Sequence, residues 1–277
     1  MKYLIDLGMK DVPLFFEMKR KYYKDFKPLK VGDYIESIER ADPPEQSQLK
    51  VGAIEKLVTK IALEKNENHI FLINNNLCHE VSALTSALSF IANGEENRQK
   101  VILNYDFHLD SGDATAPTTV KFCNWGMCVD LESYKKAIQS SKKGQYKTTG
   151  KIEKKEALEA ITNQFAKCEE PIDLYVTIDT DVYKKSYTSY GDGNFEHSDI
   201  LMQLEKLKKH IENSKGNINF CGGDVTGCID YNKSYNIKDG KREYLSKEPK
   251  ETRDAMSDDA NNKILKLLDC LYSMRTV

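Results

Sequence analysis

Paired thiols, long apolar runs and an excess of either charge are all missing from this chain of 277 residues. Its seven cysteines are scattered from Cys78 to Cys270 with no Cys-x-x-Cys pair. An odd, dispersed set excludes a disulfide framework and a zinc knuckle, and it predicts reduced thiols in a cytoplasmic protein, most of them small core residues. No apolar stretch approaches the roughly 20 residues needed to span a bilayer, and the N-terminal Met-Lys-Tyr-Leu-Ile-Asp lacks the apolar region of a signal peptide. With 41 basic residues against 43 acidic ones, the formal charge of -2 provides no global field to draw in nucleic acid or an anionic membrane. The expectation is a soluble protein whose partners include neither.

What is present is an alternation of strand-like and helix-like stretches. Compact apolar runs at residues 69–73, 101–105, 118–123, 173–179 and 217–221 predict strands. Apolar residues at helical spacing over 48–65, 81–91, 131–138, 154–168, 197–213 and 254–274 predict helices. Such alternation predicts an α/β fold with a mainly parallel sheet covered on both faces, in a single domain over 1–277 with an N-terminal segment, 1–47, of unassigned role. Within that segment, residues 17–28 mix lysine with tyrosine and phenylalanine. This run predicts a solvated face with its aromatics turned inward, the alternative being a cradle for a peptide or nucleic-acid strand. Residues 227–252 read as polar and irregular.

The chain is organised around Val101-Ile-Leu-Asn-Tyr-Asp-Phe-His-Leu-Asp110, where an apolar run ends in Asp106, His108 and Asp110 at alternate positions. On a continuing strand, a period of two would put all three side chains on one face. Carboxylate and imidazole without thiolate suit Mn²⁺, with Zn²⁺, Fe²⁺ or Ni²⁺ behind it; a solvated loop is the competing reading. The design recurs at Asp173-Leu-Tyr-Val-Thr-Ile-Asp-Thr-Asp181, which ends in Asp179 and Asp181, while His79 sits where another strand hands over to a helix. In a doubly wound sheet, these strand ends would share one crevice. Carboxylates clustered there without cations would repel one another and neutralise, so a pair of divalent ions is the simplest account of them. Two such ions activate water for hydrolysis.

The order His, Asp-x-His-x-Asp, Asp-x-Asp resembles the signature of the ureohydrolase (arginase and agmatinase) family, and all six positions match over roughly residues 69–226. The resemblance implies a three-layer arginase-like fold and two Mn²⁺ ions bridged by Asp106 and Asp179. His79 and Asp110 would complete one metal site, and His108 and Asp181 the other, with Asp110 also steadying the attacking water. Asp224, at the next strand's end, falls where the family keeps an acid that grips the guanidinium, a pairing suited to that planar cation.

The chain also departs from the family. The usual Gly-Gly-Asp-His-Ser is Asn76-Leu77-Cys78-His79-Glu80 here, and the Asp-Pro after the second acidic pair is absent behind Val182-Tyr183-Lys184. Trp125, the single tryptophan, stands near the place of the proton-shuttling His-Gly and is assigned to the substrate-binding wall, indole having no acid or base chemistry near neutral pH. Glu80 reads either as a replacement acid or base or as a helix N-terminal glutamate favoured by the dipole. His197 and His210 read as surface residues, and His69 as structural. These features are similar to a compact branch that includes the peptide arginases, which convert arginine side chains in ribosomally made precursor peptides to ornithine and release urea. The expectation is therefore a metal-dependent hydrolase of linear amidines. Its partner would be a precursor peptide or a small guanidino substrate; the second reading is a hydrolase of agmatine, another guanidino compound or an amide, and the third is a non-catalytic peptide-binding relative. Oligomerisation is expected by analogy alone.

Overall fold

The computed structural model describes residues 2–6, 26–30, 70–74, 86, 89–90, 93–95, 97–105, 155–184, 193, 195–226, 231–232 and 235–274. Six strands form one sheet: β1 (Lys2–Asp6), β2 (Phe26–Lys30), β3 (Ile70–Asn74), β4 (Gln99–Tyr105), β5 (Ile172–Asp179) and β6 (Ile218–Thr226). Their order is β2-β1-β3-β6-β5-β4, and every pairing is parallel. The expected parallel sheet is thus present. Strand β2 is an addition to the expected elements, since the lysine-rich run was read as a solvated face. Among the described residues β2 lies at the edge of the sheet, a position that tolerates Pro28.

Three described helices complete the core: α1 (Lys155–Phe165), α2 (His197–Asn213) and α3 (Lys250–Ser273). Leu158 and Phe165 of α1, Ile200, Leu204 and Leu207 of α2, and Ile264, Leu267, Leu268 and Leu271 of α3 pack against Val101, Leu103, Leu174, Val176, Ile178, Phe220 and Val225 of the sheet. Burial of these apolar side chains, each contributing about 1.5–3 kcal/mol, holds the helical layer to that face. Among the described residues, no helix is long and apolar enough to cross a membrane.

Strand β5 explains how the opposite face is built. Its apolar residues Ile172, Leu174, Val176 and Ile178 alternate with Asp173, Tyr175, Thr177 and Asp179. Such alternation commonly marks a strand with one wet face. Here both faces are covered, and all but Asp179 of the eight residues are buried. Phe90, in a helical segment, meets Tyr175 edge to face at 6.3 Å between ring centroids. At the amino end of this polar file, Lys100 of β4 pairs with Asp173 at 2.5 Å, both side chains 0% exposed. The ammonium also donates to the carbonyls of Glu95 and Arg98, while the carboxylate accepts the Glu95 N–H at 2.8 Å and Asn219 Nδ2 at 2.7 Å.

Two expectations are corrected. Residues 227–252 are not irregular throughout: β7 (Tyr235–Lys238) and β8 (Lys241–Tyr244) form an antiparallel hairpin, and α3 begins at Lys250. The two-residue turn is Asp239-Gly240, both at positive φ, a geometry that asparagine, aspartate and glycine supply with little strain. Strand β6 likewise runs on to Thr226, so Asp224 lies inside the strand and not at its end. Gly222 and Gly223 lie within this central strand, which can absorb glycine where another backbone or side chain comes close. A Cβ on Gly223 would lie 2.6 Å from the Val176 carbonyl oxygen.

Candidate functional site

The pairing of β3, β6, β5 and β4 as consecutive neighbours decides which chain segments meet. Because all four are parallel, Asn74, Thr226, Asp179 and Tyr105 leave the sheet along one edge. This is the crevice side on which open α/β sheets place their ligands. Of the predicted site residues, the described part contains Asp179, Asp181 and Asp224. His79, Glu80, Asp106, His108, Asp110 and Trp125 lie outside the described residues, as do His69 and the strand expected at 118–123.

Asp179 ends β5 and caps the 3₁₀ turn Thr180–Val182, its Oδ1 accepting the Asp181 N–H at 2.9 Å. This bond fixes the Asp179 rotamer and ties the two acids into one local unit. Asp181 is 3% exposed, and Thr180 and Val182 beside it are buried too. Two carboxylates so placed are a hard-oxygen donor pair, which fits a divalent cation such as Mn²⁺ or Mg²⁺ better than a soft metal. Among the described residues, no group of three His, Cys, Asp or Glu side chains comes together, so the pair is the described share of the six-residue set.

The turn is gripped from outside. Gly193 donates its N–H to the carbonyls of Asp181 at 2.7 Å and Tyr183 at 3.0 Å, Phe195 donates to Val182 at 3.3 Å, and Lys184 donates back to Phe195 at 2.9 Å. Tyr183 is buried with its ring tilted against His197 at 5.8 Å. Burial, and then the negative charge of Asp179, hold its hydroxyl well above the usual tyrosine range, so it stays a neutral phenol. His197 is not the surface residue expected from its helix. It is half-buried and bonded to the Lys263 carbonyl at 2.8 Å, and burial lowers its pKa. His210 is also partly buried, with its pKa lowered by the same cause.

Asp224 is 0% exposed and pairs in register with Thr177. Its Oδ2 accepts the Tyr175 hydroxyl at 2.6 Å, and its Oδ1 accepts the Thr177 hydroxyl at 2.8 Å. Sequence reasoning had not assigned a role to Tyr175 or Thr177, although their alternation with Asp179 was the available signal. Tyr175→Phe is expected to cost about 1.5–3 kcal/mol, because it strips a hydroxyl donor from a buried carboxylate. The urea midpoint should fall at an unchanged m-value, and a change below about 0.5 kcal/mol would show that the bond contributes nothing to stability.

No family model matches the sequence, and no curated protein matches it. Solved structures do match. An Entamoeba histolytica arginase in complex with L-ornithine superposes with a TM-score of 0.52 at 11% identity, over 98% of this chain and 97% of that one. Helicobacter pylori arginase gives 0.51 at 12% identity over 99% and 100%. A putative agmatinase from Clostridium difficile gives 0.50 at 16% identity over 98% and 95%. The chain therefore has the arginase-like α/β fold.

Proposed function

We propose that this arginase-fold chain is a dinuclear manganese amidinohydrolase that cleaves the guanidine of arginine, within a precursor peptide, to ornithine and urea. The observation that supports it most is the pairing of Tyr105 with Ile178. Each strand continues in the sequence with an aspartate, Asp106 and Asp179, so the two residues read as bridging carboxylates follow partners on adjacent strands about 4.8 Å apart. His79, Asp110, His108 and Asp181 complete the donor set in this reading. When bound, such a metal pair lowers the pKa of water enough to supply a nucleophile near neutral pH.

The protein's own groups then have distinct tasks. Asp179, held by its bond to the Asp181 N–H, and Asp181, on a buried turn, provide preset carboxylates that need little reorganisation. Asp110 steadies the attacking water, and Asp224 supplies negative charge on the guanidinium side. Trp125 walls the substrate. Glu80 takes up the proton that the attacking water gives up and passes it to the departing δ-amine, the step that Trp125 cannot perform.

The protein loaded with Mn²⁺ is to be incubated separately with arginine-containing peptides, free arginine and agmatine, and followed by mass spectrometry and urea release. Conversion of guanidine to amine in peptides is the expected result. Turnover of a free compound alone would reassign the substrate, and metal binding without any turnover would leave a binding protein.

A further inference from the structure

Beyond Lys184, the chain meets the same turn again at Gly193 and Phe195. Gly193 sits against Val182 so closely that a Cβ would lie 2.0 Å from the Val182 carbonyl oxygen and 2.7 Å from its Cα. No side chain can be accommodated there without moving the backbone that carries Asp181. Together with Phe195, Gly193 makes four backbone hydrogen bonds to residues 181–184, and the chain enters α2 two residues later.

We propose that Gly193 and Phe195 form a positioning strap for the acid pair: they set the height and rotation of the Asp179–Asp181 turn, so that strap closure and metal affinity are coupled. The inference rests on the reading of Asp179 and Asp181 as metal ligands. A turn of three residues has few internal bonds of its own, and the Asp181 and Val182 carbonyls are held by the strap. Displacing either carbonyl swings the Asp181 carboxylate, and a shift of about 1 Å in a constellation of this kind is enough to lose its function. Gly193 is thus a positioning residue, and it acts through Asp181.

Mn²⁺ binding by titration calorimetry on the metal-free full-length chain tests the coupling, with Gly193→Ala against wild type. Gly240→Ala is the control, because Gly240 also resists substitution, at φ +73° in the hairpin turn, but no atom lies within 4 Å of its Cβ position. The expected result is Mn²⁺ affinity at least tenfold weaker in Gly193→Ala and unchanged in Gly240→Ala. If Gly193→Ala does not fold, wild type answers the question by reciprocity: saturating Mn²⁺ must slow hydrogen exchange at the Gly193 and Phe195 amides by the factor that the strap adds to affinity. Unchanged affinity in a folded Gly193→Ala, or metal binding that leaves those amides unaffected, overturns the strap. A wild-type chain that binds no Mn²⁺ overturns the metal reading itself, and the strap with it.

Discussion

Asp181→Ala is expected to reduce urea release to background and to remove at least one of two bound Mn²⁺ ions, as read by metal analysis of the purified protein. Asp181 is a buried carboxylate on a turn that Asp179 caps, so its oxygens are held at a fixed point that alanine leaves without a donor. Asp179→Ala should be more severe, because it deletes the proposed bridging ligand and the cap together. Stability provides a second, independent readout. Free Mn²⁺ at about 100 times its Kd stabilises a one-site protein by roughly 2.7 kcal/mol, which raises Tm by about 5 °C in a chain of this size. Wild type should show that rise and lose it on chelation, while Asp181→Ala should show less of it or none. Retention of two Mn²⁺ ions and full urea release by Asp181→Ala would sink the assignment.

Lys100→Met is expected to cost about 3–5 kcal/mol without changing metal affinity. The substitution leaves the Asp173 carboxylate wholly buried with no cation, and breaking one half of a buried pair costs far more than the pair contributes. All three protons of the Lys100 ammonium have acceptors in Asp173, Glu95 and Arg98, so two carbonyls also lose their partner. A loss of that size lowers Tm by about 5–9 °C. The double variant Lys100→Met/Asp173→Leu should recover part of the loss, since no charge is then stranded. The Glu95 N–H and Asn219 amide, which donate to Asp173, keep the recovery incomplete. Mn²⁺ affinity should not move, because Asp173 and Asp179 stand at opposite ends of β5, about 20 Å apart at strand rise. Thermal unfolding with and without Mn²⁺ checks both statements.

Much of the fold was legible because hydrophobic periodicity reports local geometry directly. The expected helix at 197–213 coincides with α2, and the expected strand at 173–179 differs from β5 by one residue. Misreadings occurred where a pattern had two solutions. Residues 235–244 are polar enough to pass for a loop, yet Asp239-Gly240 closes them into a hairpin. Phe26-Lys-Pro-Leu-Lys30 contains a proline and two lysines, which suit the edge position it holds among the described strands. For the candidate site, Asp179 and Asp181 could be selected from their alternation at a strand end. Gly193 could not, because its importance lies in a backbone approach that no local pattern encodes.

The sequence by itself determined which residue types stand at the ends of β4 and β5, since strand period and apolar runs are properties of neighbouring residues. Only the tertiary structure decided that β3, β6, β5 and β4 are consecutive neighbours, so that their ends share one edge of the sheet. It also decided where Asp224 points. Leu174 pairs with Phe220 but Tyr175 pairs with Gly222, a bulge that inserts Cys221 and shifts the register by one residue. A slip of one residue exchanges the faces of a strand. Without it, Asp224 would share the side of Phe220, in the apolar core beneath α3. With it, the carboxylate meets Tyr175 and Thr177 on the face that also carries Asp179, because pairing across strands, and not the local sequence, fixes which side of the sheet a residue occupies.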